Sequence, residues 1–280
     1  MANAKTDPAS EPTGDAAASG PIVVFDDVSI GFDGKEVLKN ISFQVDRGQT
    51  LIILGPAGCG KSVLMKLANG LMTPDSGDIH IFGLDIVHMR EQNLYKLRER
   101  IGMVFQESAL FDSLSVEENV AYRLHEERMP EDQAHAKVVE ALHFVDLDQA
   151  IDKYPSELSG GMRRRVSIAR AIITQPDLIL YDSATGGLDP ITSTTIIELC
   201  VKQRDVSHAT ALFVTHRLQD AFTMATHTWN PQANKMELIP NGGVDDTTRF
   251  LVLNEGKVTF YGNTQELVHT DDPWLKDYIS

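Results

Sequence analysis

Two kinds of apolar spacing alternate along the chain. In "PIVVFDDVSIGF" and "KNISFQVDRGQTLIILG", β-branched and aromatic runs are broken by Asp-Gly and Arg-Gly pairs, which predicts strands joined by tight turns. The second run ends in a glycine-rich loop, and "KSVLMKLANGLM" then takes up helical spacing. Strand, loop and helix in that order predict an α/β core. "GDIHIFGLDI" follows as a short strand pair around a Gly turn, and a helix of mixed charge is expected to run through "EQNLYKLRERIGMVFQ".

From Val116 to Tyr154 the chain is charged and helix-rich, with "PEDQAHAKVVEALHFV" carrying apolar residues at roughly 3.6 spacing. A helical subdomain over about residues 108–175 is therefore expected as an insertion in the α/β core. Beyond it, "DLILYD" and "TALFVTH" are nearly continuous apolar runs, as parallel strands covered on both faces require. "RFLVLNEGKVTFYG" predicts a hairpin turning at Glu255-Gly256. The polar, turn-rich stretch of about residues 227–249 is expected as a surface loop, with contact to a partner as the alternative. The terminal "DDPWLKDYIS" suits a short amphipathic helix with Trp274, Leu275, Tyr278 and Ile279 on its apolar side. No internal repeat is visible.

Composition narrows the function classes. The 280 residues are 42% hydrophobic, ample for one large domain or two small ones. The formal charge of −15 repels nucleic acid and anionic lipid headgroups, so a membrane-bound partner is expected to hold the chain through protein contacts. No apolar run reaches the ~18 residues of a membrane-spanning helix. Residues 1–20, rich in Ala, Pro, Ser, Thr and Gly, do not resemble a secretory signal and are expected to be disordered. Cys59 and Cys200 make no disulfide framework and agree with a reducing compartment, the cytoplasm.

The strongest chemical signal is "GPAGCGKS", Gly55, Pro56, Ala57, Gly58, Cys59, Gly60, Lys61 and Ser62, followed by Val63. It fits G-x-x-x-x-G-K-[ST] between a strand and a helix. Its glycines let successive N–H groups turn inward and add to the positive end of the following helix, making a phosphate cradle, a motif that alone leaves many nucleotide-binding families open. Lys61 is expected to reach the β and γ phosphates and Ser62 to ligate Mg²⁺. A second small anion site, Ser159, Gly160 and Gly161, opens the helix in "LSGGMRRRVSIARAI". One chain does not need two cradles for one triphosphate unless a second copy faces it.

This pairing resembles the ATP-binding-cassette ATPases, in which one subunit's signature motif caps the γ phosphate held by the other's P-loop. The resemblance covers about Ile22 to Gly262 and extends residue by residue. Phe32 stands where the family places an aromatic, usually Tyr, against adenine; Phe keeps the π-face, and a strand-end core aromatic is the alternative. Gln106 in "MVFQESALF" matches the glutamine that touches Mg²⁺ and the water. Asp182 matches the Mg²⁺-holding aspartate, Asp189 in "GLDP" the loop that meets the opposite subunit, and His216 the histidine that reaches the γ phosphate. The implied fold is α/β: a P-loop NTPase core with an antiparallel β subdomain and the inserted helical subdomain, over residues 21–280.

Within the family, "ALFDSLSVEENVAYRLHE", Met162 after "LSGG" and "GLDPITS" look like the ATPase subunit of mammalian-cell-entry (Mla-like) phospholipid transporters. That likeness implies a homodimer or paired cassette, peripheral on the cytoplasmic face of the inner membrane. An integral permease and a periplasmic lipid-binding mammalian-cell-entry protein would be its partners, and the tail in such subunits can reach a neighbouring copy. Importers of polar solutes share much of this pattern, and composition itself carries no sign of lipid.

One position departs. The family writes "DEPT" where this chain has "DSAT": Ser183 replaces the Glu that polarises the attacking water, and Ala184 replaces Pro. A Ser hydroxyl cannot take that proton. General-base assistance is worth roughly 10²–10⁴-fold, so slow hydrolysis with intact nucleotide binding is expected. Three readings stand side by side: His216 positions the water while the phosphate accepts the proton; Glu107 substitutes; or the chain is an ATP-gated binding switch. A cassette protein without a permease is disfavoured, since such proteins often carry two cassettes and only one P-loop is present. Cys59 inside the loop invites a redox reading, but an incidental small residue is the preferred one.

Overall fold

The computed structural model describes residues 20–280. The expected disorder of residues 1–20 lies, apart from Gly20, outside them. β1 (Val23–Phe32) and β2 (Lys35–Val45) form an antiparallel hairpin. Asp33 and Gly34 at its tip have φ of 52° and 77°, the double left-handed turn that matches strand twist. The chain then enters β3 (Thr50–Leu54), crosses the glycine loop into α1 (Lys61–Ala68), and returns through β4 (Ser76–Ile81) and β5 (Leu84–Asp85) to complete a sheet of order β2-β1-β4-β5. α2 (Glu91–Arg98) stops before Ile101. The long helix expected through Gln106 is two elements, because Ile101–Val104 is β6, pairing in parallel with a later strand from Ile101↔Leu178 to Val104↔Tyr181.

The helical subdomain contains α3 (Val116–Glu126), α4 (Glu131–Phe144) and α5 (Gly160–Ile172). Ser115 and Glu118 close a capping box at the head of α3. The buried Asn119 side chain binds the backbone of Phe111, Leu114 and Ser115, ordering the loop that leads in from the α/β core. The core resumes with β7 (Leu178–Asp182), α6 (Pro190–Ser207), β8 (Thr210–Val214) and α7 (Leu218–Thr226).

Residues 227–249, expected as a surface loop, contain a hairpin of β9 (His227–Asn230) and β10 (Lys235–Leu238), and their last two residues begin β11 (Thr248–Asn254). Buried Arg204 of α6 explains the order. Its guanidinium donates to the Met224 and His227 carbonyls and pairs with Asp205 and Asp245. Beside it, the Lys202 ammonium lies 4.3 Å from the Phe144 ring centre and 5.0 Å from that of Trp229, joining hairpin, α6 and α4. The chain closes with β12 (Lys257–Gly262), α8 (Thr264–Val268) and α9 (Pro273–Ile279). Glu255 and Gly256, at φ 48° and 77°, make the expected turn.

The larger sheet runs β12-β11-β3-β8-β7-β6, parallel except for β12. Its strands are apolar on both sides, and alternate residues feed different cores. Ile52, Leu54, Ile179, Tyr181, Phe213 and Val252 belong to the core shared with the helices from α3 onward. Leu51, Ile53, Leu180, Leu212 and Leu251 face α1, α2 and the antiparallel sheet. Because β3, β8, β7 and β6 run the same way, the loops leaving all four emerge along one edge, where α/β sheets present ligand sites. Among the described residues no helix is long and apolar enough to cross a membrane.

Candidate functional site

The loop leaving β3 is shaped by two glycines. Gly55 has φ of 148°, and a Cβ there would stand 2.3 Å from the Leu253 carbonyl oxygen and 2.7 Å from Cys59 Sγ. Gly60, at φ 106°, caps α1, and a Cβ would meet a Leu38 methyl at 2.4 Å. Only glycine satisfies both the backbone and the space. Pro56, Ala57 and Gly58 are exposed at the rim, Cys59 is buried beneath it, and Val63 packs half-buried on the core. Gly60 offers no capping side chain and the first turn of α1 holds no acid, so its positive end is left for an external anion. Lys61 Nζ lies across the loop, donating to the Gly55 and Pro56 carbonyls at 2.7 and 2.8 Å.

Ser62 Oγ donates to Asp182 Oδ1 at 3.3 Å. Burial at the end of β7 holds the Asp182 carboxyl above its ordinary range, opposed by the Ser62 hydrogen bond, the Lys66 and Lys61 ammonium groups and the Ser183 side chain. Hydroxyl and carboxylate oxygens side by side are a donor set suited to a hard divalent cation. Ser183 sits in the left-handed region at φ 51°, its N–H donating to the Val214 carbonyl and its own carbonyl accepting from Gly186. The exposed Gln106 side chain lies over the same turn: a Cβ on Gly186 would come within 3.4 Å of it. His216 is exposed two residues beyond Val214, which pairs with Asp182 and Ile53. The fold thus gathers Lys61, Ser62, Gln106, Asp182, Ser183 and His216 at one sheet edge. Phe32, 40% exposed, stands at the tip of the hairpin whose Leu38 backs Gly60, with its ring open to stacking.

Ser159, Gly160 and Gly161 sit apart from that edge. Ser159 caps α5 by accepting from the Met162 N–H, Gly160 faces Leu188, and a Cβ on Gly161 would strike Thr192 at 2.4 Å. Asp189 caps α6, accepting from the Ile191 and Thr192 N–H groups and the Thr192 hydroxyl, which hold its carboxyl below the usual range. Asp and Pro in succession are themselves a helix-start signal, so this local role was legible alongside the family one.

Two residues at the site carried no sequence signal. Buried Arg164, inside "RRR", donates to the carbonyls of Phe105, Gln106, Ser183 and Gly186, tying the loops after β6 and β7 to α5. Burial lowers its pKa. Tyr278, placed by its spacing on an apolar helix face, also accepts a hydrogen bond from the Gly55 N–H at 3.0 Å.

Glycine loop, lysine and cation-ligand pair on a parallel sheet define a P-loop nucleotide-binding protein. The ABC transporter family matches residues 38–186. The chain is 34% identical over 254 residues to the intermembrane phospholipid transport system ATP-binding protein MlaF of Escherichia coli K12, covering 90% of this chain and 86% of that one. It is 42% identical over 205 residues to the methionine import ATP-binding protein MetN of Corynebacterium jeikeium, covering 72% of this chain but 56% of the relative. Among solved structures, a dimeric ATP-binding cassette, MJ0796, in a post-hydrolysis state with ADP and phosphate superposes with a TM-score of 0.72 at 26% identity, over 86% of this chain and 98% of that one. The protein belongs to the ABC transporter family and is an ATP-binding cassette subunit.

Proposed function

We propose that this cassette energises phospholipid movement between bacterial membranes, peripheral on the cytoplasmic face of the inner membrane. Its partners would be a second copy, an integral permease and a periplasmic mammalian-cell-entry protein. The phospholipid reading is supported by the likeness to MlaF, which extends over nearly the whole of both chains. The likeness to MetN favours a second reading, an importer's ATPase, but spans little more than half of that relative.

The observation that carries the nucleotide chemistry is the convergence of Lys61, Ser62 and Asp182 under one glycine loop. Lys61 leaves the loop carbonyls to hold the β and γ phosphates, and the N–H groups of Gly58 to Val63 cradle them. Phe32 stacks on adenine. Ser62, Asp182 and Gln106 hold Mg²⁺, which supplies charge neutralisation on the triphosphate. Ser159, Gly160, Gly161 and Asp189 serve the nucleotide bound by the partner copy. His216 orients the attacking water at a site whose residue 183 cannot accept its proton, so turnover is slow.

Phosphate release by the subunit with its membrane partners, at saturating Mg-ATP, tests this. Wild type is expected above Lys61→Ala and below Ser183→Glu. Equality of wild type with Lys61→Ala, while Ser183→Glu turns over, identifies an ATP-binding switch instead; equality of wild type with Ser183→Glu rejects slow turnover. Transport of labelled phospholipid against methionine in proteoliposomes separates the two substrate readings.

A further inference from the structure

The last helix of the chain ends at the first residue of the phosphate loop. α9 is held on its own chain: Asp272 caps it by accepting from the Leu275 N–H, Pro273 starts it, and Leu275 is 1% exposed. Trp274 and Tyr278 stack one turn apart, ring centres 5.2 Å and planes 8° apart, and both pack on the core that contains Phe250 and Val252. From that platform the Tyr278 hydroxyl accepts the Gly55 N–H at 3.0 Å.

Gly55 is where β3 stops pairing. Leu54 is the last residue registered against β11, opposite Val252, and Ile53 the last against β8. The next N–H has no strand partner, and Gly55 is buried. A buried donor must find an acceptor. Its φ of 148° and the tight approach to the Leu253 carbonyl leave little freedom, so the acceptor helps set the direction in which the loop departs. Burial raises the phenol's pKa, and the hydrogen bond from Gly55 opposes that rise.

We propose that α9 is a strut beneath the phosphate loop and that Tyr278 is a positioning residue for nucleotide, fixing the loop's entry angle through Gly55 without touching the ligand. Loop N–H groups bind phosphate well only if they already converge. When Tyr278 is lost, the loop must order at the moment of binding. Displacing α9 therefore lowers nucleotide affinity, which makes the end of the chain a point of control over the site. The inference rests on the nucleotide reading of the loop.

The test compares binding of the fluorescent analogue mant-ATP, with Mg²⁺, to full-length wild type, Tyr278→Phe, Tyr261→Phe and Lys61→Ala. Tyr278→Phe keeps the ring and its stacking and removes only the acceptor. Tyr261 is the control, since its hydroxyl donates to the Gln44 carbonyl away from the loop. Thermal melting of the free proteins reports general stability for both. The expected result is a Kd about 3- to 10-fold weaker for Tyr278→Phe, the fold-change that one neutral hydrogen bond represents. Tyr261→Phe should bind as wild type at a comparable melting temperature. A Kd for Tyr278→Phe within twofold of wild type, with Lys61→Ala defective, overturns the strut; wild-type binding by Lys61→Ala overturns the nucleotide reading beneath it.

Discussion

Asp182 and Ser183 carry opposite tensions at adjoining positions. Asp182 is held above the ordinary carboxyl range by burial, so folding penalises its charged form at neutral pH and that penalty is relieved as pH falls through the raised pKa. Asp182→Asn is therefore expected to raise the melting temperature of the ligand-free protein while abolishing the Mg²⁺ dependence of nucleotide binding. A calorimetric scan with a parallel binding titration reads both. In wild type, Mg²⁺-dependent affinity should weaken on acidification at a pH above that of an ordinary Asp. Ser183 occupies a left-handed backbone position that costs a non-glycine residue about 1–2 kcal/mol, a constraint often found at reacting centres. Ser183→Glu is expected to raise steady-state phosphate release by roughly 10²-fold, the lower end of general-base assistance, because the turn is already built.

Between elements, the decisive joint is Arg164. Its bonds to four carbonyls fix the loops after β6 and β7 relative to α5, the helix that begins with the signature residues. Arg164→Ala strands those carbonyls and should destabilise the fold by about 2–4 kcal/mol in urea unfolding. Arg164→Lys keeps the charge without the planar fork, and turnover is expected to fall more than nucleotide affinity. None of this was legible in "RRR", which reads as a solvated charge run. The parallel strands β3, β7 and β8 were legible because both their faces are apolar, leaving runs such as "LILY" unbroken. β6 was missed because its four residues follow a charged helix with no turn pair between them. β9 and β10 were missed because neither has a buried face of its own; Arg204 supplies their anchor. The placement of Lys61, Ser62 and Asp182 together was legible as a motif order, and the contact of Tyr278 with Gly55 was not, since only tertiary packing brings residues so distant in sequence together.

For the whole molecule, the proposed function makes the pairing of two cassettes the central event. With residue 183 unable to act as base, Mg-ATP should hold wild type as a dimer long enough to elute at twice the monomer's mass in size exclusion. Lys61→Ala should elute as monomer under the same conditions. The charge of −15 opposes close approach of two copies, so the ATP-dependent dimer should strengthen as salt rises from low to moderate ionic strength.

The two tryptophans of the chain sit in distinct tertiary contacts. Trp229 shares Lys202 with Phe144 at the end of α4, and Trp274 stacks on Tyr278, whose hydroxyl accepts the Gly55 N–H. An ammonium near one indole and a phenol against the other make each emission sensitive to small displacements. Unlabelled protein thus carries two native optical probes, one at the β9–α6 joint and one on α9. Trp229→Phe and Trp274→Phe variants would resolve in time which of the two places moves first after ATP is mixed in.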